Sequence, residues 1–147
     1  MVYAENRQAF YDYEILEKYE AGMVLEGYEV KAVKSGKLSV RGSYVKVLGG
    51  EIFLIGAVIS PYQPKNTPKD YDPQRTRKLL LNKKEITGLT GKSEEKGLTI
   101  VPLRAYDKKG RVKLEIGLAK ARKKYDKRTS IRKKEEQRKI ERVLKQY

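Results

Sequence analysis

The alternation of apolar and polar residues stops at Leu118, and this limits where a core can be built. Val112, Leu114 and Ile116 still alternate with Lys113 and Glu115, the period-two pattern of a strand with one wet face. Beyond Leu118 the large aliphatics are only Ile131, Ile140, Val143 and Leu144. Residues 119–147 hold 13 Lys or Arg against 4 Asp or Glu, whereas residues 1–118 hold 21 against 15. A segment so charged and so poor in aliphatics buries too little surface to offset its ordering entropy. The chain therefore divides into a folding body, residues 1–120, and a basic tail, residues 121–147.

A formal charge of +15 on 147 residues exceeds what solubility requires and implies an anionic partner, nucleic acid or a membrane surface. There is no Cys and no His, which excludes disulfides, thiolate nucleophiles, imidazole bases and Cys- or His-based metal sites. Asp70 and Asp72 could hold Mg²⁺ in a nuclease, but no third carboxylate follows at a recognisable spacing, and turn chemistry explains Asp72 better. No cofactor, metal or catalytic residue is expected. The longest uncharged run, Ile52 to Pro64, is far shorter than the ~20 apolar residues that span a bilayer. The start, MVYAENRQAF, lacks the apolar core of a secretory signal. A cytoplasmic protein without membrane contact is expected.

The body reads as mainly β. A strand is expected from Tyr13 to Ala21-Gly22. Tyr44 to Leu48 and the apolar run from Glu51 flank Gly49-Gly50, a hairpin signal. Leu98 to Tyr106 and Arg111 to Leu118 flank Asp107 to Gly110 as a second hairpin. Two helices are expected. One covers Glu26 to Lys34. The other starts at Asp72-Pro73, runs over Gln74 to Leu81, bends at Asn82 and closes at Gly91. Pro61, Pro64, Pro68 and Pro73 mark an extended surface loop. By analogy of size and composition, the body is a small antiparallel oligonucleotide-binding-type barrel with short flanking helices.

On the expected second helix, Arg75 and Lys78 share one face, so Arg75, Arg77, Lys78, Lys83 and Lys84 read as a surface for phosphates. Gly88 to Ser93 is not a phosphate-binding loop, because Ile86 stands where that pattern needs its first Gly. In the tail, Tyr125 lies between Arg122-Lys123-Lys124 and Lys127-Arg128, a setting suited to stacking on an unpaired base. The pairs Glu135–Lys139 and Glu141–Lys145 favour helix, yet the tail is too charged to hold one alone. An arm that becomes helical against RNA is expected.

Several blocks together carry a resemblance: Asn6-Arg7, Tyr19-Glu20-Ala21-Gly22, Glu29-Val30-Lys31, Ser60-Pro61-Tyr62, Asp72-Pro73-Gln74-Arg75-Thr76-Arg77-Lys78-Leu79-Leu80-Leu81, Lys96-Gly97-Leu98-Thr99, Val101-Pro102-Leu103 and Asp126-Lys127-Arg128. In this order and spacing the chain resembles the SsrA-binding protein, or small protein B, family from about Asn6 to Arg128. The resemblance implies a non-enzymatic monomer that binds the tRNA-like domain of transfer-messenger RNA and brings it to stalled ribosomes. It also implies that Asn6, Glu20 and Leu80 bind RNA; with Arg7, Arg75, Arg77, Lys78 and Lys83 they form the expected RNA-binding set of the body. It further implies that the tail enters the empty mRNA channel against small-subunit rRNA. The expected tail contacts are Lys123, Lys124, Tyr125, Asp126, Lys127, Arg128, Arg132, Lys133 and Lys134. A ribosomal protein or assembly factor is the alternative that fits composition and barrel equally well. Ala121 stands where many family members have Gly; a positive φ there would strain it by about 1 kcal/mol.

Overall fold

The computed structural model describes residues 1–122. The elements are β1 (Val2–Glu5), α1 (Arg7–Asp12), β2 (Tyr13–Met23), α2 (Gly27–Lys34), β3 (Leu38–Ser39), β4 (Tyr44–Leu48), β5 (Glu51–Ile55), β6 (Val58–Ile59), β7 (Arg77–Leu80), α3 (Lys83–Ser93), β8 (Leu98–Lys108) and β9 (Arg111–Ala121). Both expected hairpins form. Gly49-Gly50 joins β4 to β5 and Lys109-Gly110 joins β8 to β9, and all four turn residues have positive φ. This two-residue turn matches the twist of its strands.

All pairings are antiparallel, in the order β1-β8-β4-β5-β7-β2-β9, and β8 also pairs with β9. Six strands thus close into a ring, with β1 added outside β8. Period-two alternation fills the interior: Ala21, Val45, Ile52, Leu54, Leu79, Ile100, Leu114 and Ile116 are buried there together. A second, smaller core lies where α1 packs outside the ring, on Ala9, Val101, Leu103 and Ala119. A register shift between Pro102 and Arg104 lets Leu103 face α1 while Arg104 faces water.

Three expectations are corrected. Gln74 to Leu81 is not a helix: Arg77–Leu80 is β7, seated between β5 and β2. The local signals are real, since Asp72 Oδ1 accepts from the Gln74 amide at 2.9 Å, but they build a turn before the strand. Leu79 fills the interior while Lys78 and Leu80 face outward, which only a strand allows. Asn82 is not a bend but the cap of α3, its Oδ1 accepting from the Glu85 amide at 2.8 Å. Gly91 lies inside α3, which runs on to Ser93. Ala121 ends β9 opposite Tyr13; the one described non-glycine with positive φ is Lys109, so the alanine carries no such strain. β1 and α1 had no counterpart in the sequence reading. The expected tail contacts from Lys123 to Lys134 and the tail helix lie outside the described residues.

Gly117 lies against the smaller core: a Cβ added there would sit 3.0 Å from Ile15 Cγ2 and 3.0 Å from Leu103 Cδ1. Gly117→Ala is expected to lower stability by about 1–3 kcal/mol through overpacking, read as a fall in thermal unfolding midpoint. An unchanged midpoint would mean that α1 is not held tightly on the ring.

Candidate nucleic-acid interface

Outward residues of β2, β7, β8 and β9 form one polar and aromatic patch. On β2, Glu20 and Gly22 face out, opposite Glu115 and Lys113 of β9. On β8, Arg104 and Tyr106 pair across the same β9 residues. The Tyr106 hydroxyl donates to Glu20 Oε2, and Lys108 Nζ donates to Glu20 Oε1 at 2.9 Å. The bond from Lys108, then that from Tyr106, holds the Glu20 carboxyl below its ordinary pKa. Partial burial, followed by the bond to the carboxylate, pushes the Tyr106 phenol up to about 12. The Arg104 guanidinium lies 5.2 Å from the Tyr106 ring centre and 3.4 Å from Glu115.

Leu80 of β7 completes the patch. It stands opposite Gly22, whose missing side chain lets the leucine Cβ approach closely, and it is 53% exposed. A charged carboxylate keeps spare lone pairs for the N–H edges of bases, and neighbouring cations suit phosphates. Lys78 lies beside Leu80 on the same strand face and pairs with Glu51 at 3.0 Å.

The structure brings some of the expected residues together and separates others. Glu20 and Leu80 meet on one face. Arg7, 83% exposed, follows Glu5, which stands opposite Arg104. Asn6 is 4% exposed, its Oδ1 accepts from the Ala9 amide at 3.3 Å, and its Nδ2 donates to the Pro102 carbonyl at 2.9 Å. It caps α1 and so orients Arg7. Lys83 opens α3, and no hydrogen bond or ion pair among the described residues ties it to the patch. Arg104, Tyr106, Lys108 and Lys113 were missed as site residues, although their wet-face alternation was legible.

Arg77 is the largest correction. Its side chain and that of Glu29 are both 0% exposed, and its Nη2 lies 2.9 Å from Glu29 Oε2. Arg77 also donates to the carbonyls of Ala57, Arg75 and Pro73 and to the Tyr71 hydroxyl, each at 3.0 Å. Arg75 grips the other side of Glu29 through Nη2 and Nε. The Glu26 amide donates to Glu29 Oε1 at 2.9 Å, and Tyr71 donates to the Ile59 carbonyl at 2.8 Å. These two arginines lock α2, the proline-rich loop and β7 into one unit.

The outward sheet face is rich in cations and set on a closed antiparallel ring, an arrangement that suits contact with nucleic acid. The chain belongs to the SmpB protein family, whose model matches residues 3–146. It is 53% identical over 145 residues to the SsrA-binding protein of Rubrobacter xylanophilus, covering 98% of this chain and 95% of that one. It is 48% identical over 145 residues to the SsrA-binding protein of Thermosynechococcus vestitus, covering 99% and 95%. A solved chain from the work described as "tmRNA-SmpB: a journey to the center of the bacterial ribosome" superposes with TM-score 0.67 and 45% identity, covering 87% of this chain and 93% of that chain. No helix among the described residues is long and apolar enough to cross a membrane. Among those residues no three His, Cys, Asp or Glu side chains gather.

Burial pushes the Glu29 pKa up, but the bonds from Arg75, the Glu26 amide and Arg77 outweigh it and leave the value lowered. A lowered folded pKa gives stability that is full above the unfolded carboxylate value and is lost as pH falls below it. Glu29→Gln leaves Arg77 buried without its counter-charge and is expected to cost about 3–5 kcal/mol near neutral pH. The same variant should show a flatter loss of stability on acidification below about pH 4.5, read by denaturant unfolding across pH.

Proposed function

We propose that this chain binds the tRNA-like domain of transfer-messenger RNA and carries it to stalled ribosomes for trans-translation. The observation that carries this reading is the Glu20–Tyr106–Lys108 network beside exposed Leu80, in a chain about half identical to proteins named SsrA-binding protein. The solved relative, named with tmRNA and the bacterial ribosome, supports both partners. The protein acts in the cytoplasm as a monomer and performs no covalent chemistry. Glu20 and Leu80 make the base and sugar contacts, while Arg7, Lys78, Arg104, Lys108 and Lys113 neutralise phosphates.

The basic tail performs the second task. Lys123, Lys124, Tyr125, Asp126, Lys127, Arg128, Arg132, Lys133 and Lys134 enter an mRNA channel that carries no message and contact small-subunit rRNA. Only an empty channel admits them, so the tail distinguishes stalled ribosomes from translating ones.

Glu20→Ala and Leu80→Asp are each expected to weaken binding of a tRNA-like-domain transcript about tenfold, measured by filter binding at fixed salt. Truncation after Arg122 should retain that affinity largely intact while abolishing peptide tagging on stalled ribosomes in a reconstituted system. Equal loss of both activities would overturn the division of labour. Stoichiometric recovery of rRNA alone in a pull-down would favour a ribosomal protein or assembly factor instead.

A further inference from the structure

We infer that the groove between α2 and the proline-rich loop holds one unpaired RNA nucleotide, its base stacked on Tyr62 and its phosphate near Lys31. The choice of ligand rests on the RNA-binding reading above. The groove measures about 280 Å³, and its walls include Tyr28, Lys31, Tyr62, Gln63 and Asn66. That size falls just below the usual range of small-ligand sites, about 300–1,000 Å³. It suits a single flat ring with its sugar.

Both walls are held in place before any ligand arrives. Tyr28 neighbours the buried Glu29 on α2, and its ring meets the Tyr71 ring edge-on at 5.2 Å and 90°. Tyr71 is itself fixed by Ile59 and Arg77. On the opposite wall, Pro64–Asn66 makes a single helical turn; Thr67 Oγ1 donates to the Gln63 carbonyl at 2.9 Å and Asn66 Nδ2 donates to Gln63 Oε1 at 2.6 Å. A site with rigid walls loses less ordering entropy on binding.

The chemistry of the lining selects the occupant. The Asn66–Gln63 bond leaves the Gln63 amide N–H groups and Asn66 Oδ1 without partners among the described residues. That is a donor and an acceptor side by side, the arrangement that reads the edge of an unpaired base. Tyr62 is 46% exposed and offers a stacking face. Lys31, on the groove wall, makes no ion pair among the described residues and supplies positive charge there. A proline-rich peptide also fits tyrosine-lined grooves, but it supplies neither an anion for the lysine nor a base edge for the amides. The groove shares no residue with the Glu20–Leu80 patch.

The chain has no Trp, so Tyr62→Trp in the full-length protein provides a single tryptophan whose emission can be excited apart from the tyrosines. Titration with the oligoribonucleotide rA₆ at about 100 mM salt is expected to quench it saturably. Adding Lys31→Ala or Gln63→Ala should weaken that binding about fivefold or more. Tyr62→Ala in the native background should weaken rA₆ about tenfold by competition while changing affinity for the tRNA-like transcript less than twofold. Leu80→Asp should give the reverse pattern. No quenching, equal quenching of a Tyr44→Trp control at another exposed tyrosine, or equal loss of both RNAs in Tyr62→Ala would overturn the site. Quenching by a proline-rich peptide and not by rA₆ would assign the groove to protein and overturn it too. If the tRNA-like transcript fails to bind at all, the functional reading falls while the rA₆ titration still reports on the groove.

Discussion

The buried carboxylate of Glu29 sets terms that the surrounding structure must meet. An isolated charge in a protein interior costs several kcal/mol, so its partners must come with it. Here they are Arg77, equally buried, and Arg75 at the rim. The two arginines lie just before and at the start of β7, while Glu29 lies on α2, 48 residues from Arg77. Satisfying the charge therefore fixes how the loop between β6 and β7 folds back over α2. Arg77 then uses its remaining N–H groups on the carbonyls of Ala57, Arg75 and Pro73, so the loop backbone is satisfied by the same side chain.

Two surfaces inherit that placement. β7 is delivered between β5 and β2, which sets Leu80 against Gly22 and beside Glu20 on the outer face. On the other side of the hub, Tyr71 is held against Tyr28 and shapes the groove wall. Because the ring of strands is closed and its interior is filled, binding must use outward side chains. The outward residues need not pack, so they can be charged and aromatic; the inward ones are small or aliphatic apart from Arg77, whose charge Glu29 meets.

What was legible in the sequence follows from the range of the interactions involved. The β4–β5 and β8–β9 hairpins show because two-residue turns and alternation are local. The wet face carrying Lys113 and Glu115 shows for the same reason. β7 was hidden: Asp72 and Pro73 build a turn that shares its signals with a helix start, and the Leu79 to Leu81 run fits either period. Only the slot between β5 and β2 decides the matter, and that slot is a long-range property. Arg77 looked like a surface cation because its partner lies far away in sequence. Glu20 and Leu80 came through the family resemblance, since neither residue alone announces a site. Tyr106 and Lys108 needed the register of three strands to bring them onto Glu20.

The charge of the chain divides by the same logic. In the body, the ion pairs engage Glu5, Glu17, Glu20, Glu29, Glu51 and Glu115 with seven of its cations. Each of these cations thus has an acid beside it, held at a position that the strands fix. In residues 119–147, 13 cations meet only 4 acids, so local pairing leaves most of them uncompensated. Uncompensated cations attract phosphates over about a Debye length, roughly 8 Å at physiological salt, without needing a fixed fold. On the proposed reading, a body suited to shape and a cationic segment suited to attraction are two solutions to binding RNA, joined at the end of β9.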